Sequence, residues 1–97
     1  MTVRAKLKVS SIETNANGTR QVKEDGKDKW VPAKLSTIKM HPVYHNGDPQ
    51  HENTKFWNAS PGGELSLNCV NPAAVAQFNL GQEFYLDFTP VGEPPQL

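Results

Sequence analysis

The sequence predicts a mainly β fold, a small antiparallel β-sheet or barrel-like domain with one short helix between its last two strands. Three observations carry this. Val3, Ala5, Leu7 and Val9 alternate with Arg4, Lys6, Lys8 and Ser10, the period-two pattern of a half-buried strand. Phe84, Leu86 and Phe88 alternate in the same way with Tyr85, Asp87 and Thr89. Between Leu65-Ser66-Leu67-Asn68-Cys69 and that last strand stands Asn71-Pro72, a capping side chain followed by the residue best tolerated in a first helical turn.

The remaining elements follow in chain order. Glu13 to Lys29 holds two turn dipeptides, Asn17-Gly18 and Asp25-Gly26, among many charges, and is expected to be a long, mobile hairpin loop with room for short strands between the two turns. Trp30 to Tyr44 is the second sheet segment. Leu35 and Ile38 fall on opposite faces of a regular strand, so a bulge near Ser36-Thr37 is expected, and Pro42 belongs at an edge or strand end. His45 to Asn53 is a loop, Glu52 to Ala59 has one or two helical turns, and Ser60-Pro61-Gly62-Gly63 forces a turn. In the later helix Val75 and Phe78 share a face, and Gly81 supplies a left-handed exit. Residues 1–90 thus form one small domain, with 91–97 a disordered tail. Oligonucleotide-binding barrels also carry a helix between strands, which makes them the alternative fold.

Composition narrows the function. A chain of 97 residues buries roughly 60–65% of its unfolded surface, enough for one modest core. Ten basic residues balance ten acidic ones, so the overall positive field of a duplex-DNA binder is missing, and weak charge repulsion leaves self-association open. The single cysteine, Cys69, falls inside a strand pattern and reads as a structural thiol. No apolar run approaches the ~18 residues of a membrane span, and Met1-Thr2-Val3-Arg4 leads into a strand pattern rather than a signal peptide. A cytoplasmic protein without a membrane partner is expected.

Chemistry-bearing patterns are sparse. His41 and His45 on an extended chain stand about 13 Å apart, too far for one ion, and His51 lies in a loop, so no metal site is assigned. No serine sits in a nucleophile elbow, Gly62-Gly63 lacks the residues of a phosphate loop, and no carboxylate pair is identifiable. The chain therefore reads as a non-enzyme with no cofactor. Binding chemistry is better represented. Trp30, Tyr44, Trp57 and Tyr85 combine rings with polar handles, and Arg4, Lys39, His41 and Lys55 lie near predicted strand faces. Rings and cations together make a platform for nucleotides, and the amides and hydroxyl of the Trp57–Gly63 stretch can hold an anion. The ligand-binding candidates are Arg4, Lys39, His41, Tyr44, Lys55, Trp57, Asn58 and Ser60. In the plainer reading, Trp57 and Tyr85 complete a core or an oligomer interface, and Arg4, Lys6 and Lys8 form a solvated face that guards a strand edge.

Three segments, Arg4-Ala-Lys-Leu-Lys-Val-Ser-Ser-Ile12, Lys55-Phe-Trp-Asn-Ala-Ser-Pro-Gly-Gly-Glu-Leu-Ser-Leu67 and Asn71 to Pro90, together with Pro42-Val43-Tyr44, form a wider pattern. That pattern resembles a family of small uncharacterised proteins encoded by tailed bacteriophages and prophages, over most of the chain except Glu13 to Lys29. The resemblance supplies no catalytic residues. It implies a phage setting, action in the host cytoplasm and an accessory role. The leading expectation is a protein that counters host defence, by sequestering a nucleotide-like signal between copies of itself or by blocking a host protein. The alternatives are a single-stranded nucleic-acid binder of barrel type, which the neutral charge disfavours, and a minor virion-associated protein.

Overall fold

The computed structural model describes residues 3–59 and 61–93, and its largest feature is one long hairpin. β1 (Val3–Glu24) and β2 (Lys27–Pro42) are joined by Asp25 and Gly26, with φ of 52° and 76°. Positive φ at both positions is the type I′ turn, whose twist matches that of the strands it joins. α1 (Glu52–Trp57) follows, then β3 (Leu65–Cys69), α2 (Pro72–Val75) and β4 (Glu83–Phe88). All neighbours are antiparallel in the order β3-β2-β1-β4. The fold is mainly β with a short helix between the last two strands, as the alternation predicts. The sheet is open, so the barrel form does not occur.

The segment expected as a loop, Glu13 to Lys29, is strand apart from its two-residue turn. Asn17-Gly18 lies inside β1, at a shift of register between Asn15 and Gly18. A second shift falls between Val9 and Ser11. These extra residues all belong to β1, so β2 keeps one alternation and no bulge is needed at Ser36-Thr37. Ser36, Ile38 and Met40 point into the core, while Leu35 goes to the opposite face. There it meets Gly18, where an added Cβ would lie 2.9 Å from Ala33 O, 2.9 Å from Leu35 Cβ and 3.1 Å from Val70 Cγ1. The glycine is needed for close approach, not for a turn. Residues 94–97 of the expected tail lie outside the described residues.

Ala5, Leu7, Val9, Ile38 and Met40 form the buried core, with Trp57, Leu65, Val75, Phe78, Phe84 and Leu86 packed on it. α2 starts as expected, the Asn71 side chain accepting from Ala73 N–H. It ends after one turn. Gly81, at φ 81°, belongs instead to a later turn whose N–H bonds Val9 O and docks the chain beside β1.

β2 stops pairing at Pro42, which has no N–H to give, and Val43 N–H makes one last bond to Lys6 O at 3.0 Å. The neighbouring stretch of β1 is satisfied by a side chain. Asn53 on α1 accepts from Lys6 N–H at 2.7 Å and donates to Lys6 O at 2.8 Å and Val43 O at 2.6 Å. Its carboxamide replaces the missing peptide of the ladder and is fully buried. Replacing Asn53 by Ala orphans these backbone groups and is expected to cost about 2–4 kcal/mol. Gly18→Ala is expected to cost about 1–3 kcal/mol through overpacking. Urea unfolding of both variants checks the two values.

Candidate functional site

The polar side chains of β1 and β4 meet on the outer face of the sheet because Arg4 pairs with Asp87 and Lys6 with Tyr85. Arg4 Nε and Nη2 donate to the two carboxylate oxygens of Asp87 at 2.7 and 3.0 Å. The same guanidinium lies 4.4 Å from the centre of the Tyr85 ring, and Lys6 Nζ lies 5.5 Å from it. Lys6 Nζ also stands 3.5 Å from Glu52 Oε1, where α1 reaches the sheet. The hydrogen bonds from Arg4 hold the Asp87 carboxyl below its ordinary range and keep Arg4 charged. Glu52 is also held low, first by its own backbone N–H, then by the Tyr85 hydroxyl, Lys6 and His51, against the opposing effect of burial. Two cations, two carboxylates and a ring thus form a charge-balanced cluster.

Beside it, an open cleft of about 320 Å³ lies between the start of β1 and α1, lined by Val3, Arg4, Gln50, Glu52, Lys55 and Phe56. Of the seven candidates among the described residues, Arg4 and Lys55 come together here. Lys39 stands between Ser11 and Ser66 on the outer face. His41 is next to it, with Nδ1 2.6 Å from Ser10 Oγ and Nε2 3.2 Å from Glu64 Oε2. Tyr44 is exposed and stacks on His45 at 4.9 Å. Trp57 turns toward the core and spends its indole N–H on Gly62 O at 2.8 Å. Asn58 is the left-handed C-cap of α1, its backbone N–H bonding Thr54 O. Ser60 lies outside the described residues. The seven candidates among the described residues assemble no single ring-and-cation platform.

The three histidines serve separate local purposes. His45 Nδ1 accepts from Gly47 N–H, which leaves Nε2–H to donate to Ala59 O. His51 Nδ1 caps α1 by accepting from Asn53 N–H at 3.0 Å and lies 3.6 Å from Glu52 Oε2. At His41 a chain Ser10–His41–Glu64 exists, but Ser10 Oγ also lies 3.1 Å from Lys39 O. A hydroxyl proton given to that carbonyl is not available to the ring. His41 and Glu64 are each about half exposed, at 49% and 46% of their side chains.

Lys6, Glu52, Tyr85 and Asp87 are the polar-cluster residues missing from the candidate set. Alternation already turned Lys6, Tyr85 and Asp87 outward. The lacking signal was the β1–β4 register, and Glu52 carried no signal at all. No protein-family model, curated protein or solved structure matches the chain.

The lowered carboxyls fix a sign for acid sensitivity. A group with a depressed folded-state pKa contributes stability that is present above its unfolded value, near 4, and lost as pH falls through the folded value. Stability is therefore expected to fall below about pH 4, and Glu52→Gln to make that acid limb shallower. Urea midpoints measured from pH 7 to pH 2 on both proteins check this.

Proposed function

We propose that the chain is a non-enzymatic accessory binding protein, of the phage kind its motifs resemble, that works as an oligomer through protein–protein contacts. The observation that carries this is surface. The chain exposes 7424 Å², whereas a compact monomer of its mass exposes about 5,500 Å². Its radius of gyration is 17.7 Å, against about 12.5 Å for a compact chain of this length. The β1–β2 ribbon runs past both β3 and β4, with Trp30 65% exposed. Part of the core face is open as well, with Phe88 51% and Leu67 40% exposed. Two-stranded ribbons are marginal in water, so such an arm gains from a partner.

The nucleotide-sequestering form of this reading has less behind it. Arg4 and Lys6 are engaged by Asp87 and Glu52, and Tyr44 and Trp57 lie apart. The nucleic-acid alternative has an open sheet instead of a barrel and a formal net charge of zero. Strand edges and a ribbon favour blocking a host protein in the cytoplasm, or a seat among other virion proteins. Mass spectrometry of purified virions separates these two.

Light scattering during gel filtration at micromolar protein is expected to give the mass of two or more chains, and a nucleotide panel to leave Tm unchanged. A monomer that one nucleotide stabilises, by about 2.7 kcal/mol at a hundredfold excess over Kd, would contradict the proposal.

A further inference from the structure

The ribbon has two free edges, and they are not equivalent. β4 pairs with β1 only over Val3–Lys8, with Val9 bonded to Gly81 and Gln82, and β3 pairs with β2 only over Ser36–Met40. Beyond these points neither edge is paired to another strand among the described residues. Glu24 and Lys27 flank the two-residue turn and so form its closing hydrogen-bonded pair. Alternation then turns the backbone N–H and C=O of Thr19, Gln21 and Lys23 outward on β1, and those of Asp28, Trp30 and Pro32 outward on β2. Pro32 has no N–H, so the β2 edge is interrupted as proline interrupts edge strands elsewhere. The β1 edge from Thr19 to Glu24 contains no proline and follows the last register shift.

We propose that this edge pairs with the same edge of a second copy of the chain, giving a two-fold antiparallel dimer centred on Val22. The inference rests on the oligomeric reading above and names its surface. A two-fold axis normal to the sheet sets residues of one face opposite each other, so registers change only in steps that keep the faces matched. Centred on Val22, each Arg20 faces Glu24 of the second copy, and Gln21 and Lys23 exchange backbone hydrogen bonds. Centred on Lys23, two lysines oppose each other. Centred on Gln21, Arg20 faces Val22 and the ion pairs are lost. Charge thus selects one register, because opposite charges directly across a strand pair stabilise and like charges destabilise. Glu24 now bridges Lys29 at 3.1 Å, but both are about 60% exposed, so the carboxylate remains open to a further cation. Pairing converts two marginal two-stranded ribbons into one four-stranded sheet.

The test is disulfide trapping in the full chain carrying Cys69→Ser. In the centred register the two Val22 residues form a non-hydrogen-bonded pair with Cα atoms about 4.5 Å apart, within disulfide reach. Val22→Cys is expected to give a covalent dimer on mild oxidation, and Lys29→Cys, on the far strand of the ribbon, to give no covalent dimer. A charge exchange supports the same register independently. The Arg20→Glu and Glu24→Arg chains should each dimerise about tenfold more weakly, from two like-charge contacts, and recover wild-type affinity when mixed. Equal trapping at both positions, no trapping at position 22, or no recovery on mixing would overturn the pairing. If the light-scattering mass still shows an oligomer, the broader reading survives that failure. A monomer at every concentration would overturn both.

Discussion

The structure depends on how β1 is satisfied where β2 leaves it. A strand that loses its neighbour inside a domain exposes buried N–H and C=O groups, each costly to leave unpaired. Here one carboxamide takes over. The Asn53 side chain bonds both backbone groups of Lys6 and also Val43 O, which fixes α1 in the gap beyond Pro42. Two consequences follow from that placement. Glu52 reaches the outer face beside Lys6, and Trp57 reaches the inner face and closes the core. A six-residue helix has little stability of its own, so its position comes from this contact and from the aromatic packing around it.

The outer-face cluster and the ribbon have opposite characters. Around Tyr85 each cation has a carboxylate, and the ring is occupied by cations from the same chain. Such a surface is complete. The ribbon is not, because among the described residues no further strand pairs its edges beyond β3 and β4, and near its tip stands an exposed tryptophan. Function is therefore better sought where bonding capacity is left over than where charged side chains are most numerous. Edge pairing supplies direction through backbone hydrogen bonds and selectivity through alternate side chains, a division of labour that suits a small chain.

Much of the fold was legible because the signals were local. The alternations at Val3–Val9 and Phe84–Phe88 became core-facing strands, and Asn71-Pro72 started a helix where its chemistry said it should. What was not legible depended on distant partners. Asn17-Gly18 has the composition of a turn, yet pairing with β2 and close packing against Leu35 and Val70 kept it in a strand. Leu35 and Ile38 pointed to a bulge in their own strand, whereas the extra residues lay opposite, in β1. The candidate site fared less well for the same reason. Arg4 meets Asp87 across 83 positions of sequence, and Tyr44 and Trp57 diverge because α1 turns the indole inward. Nothing in a loop asparagine announces that it will stand in for a peptide group.

Completion of the ribbon by a second chain along β1, as proposed, would leave its mark on single amides. Amide hydrogen exchange across a dilution series reads that mark, because edge pairing protects alternate residues. Arg20 and Val22 point their N–H groups into the hairpin and are expected to exchange at rates insensitive to concentration. Gln21 and Lys23 point theirs outward and are expected to slow as protein concentration rises and the edges pair. Fast exchange at Gln21 and Lys23 at every concentration, unchanged from dilute to concentrated protein, would contradict the account.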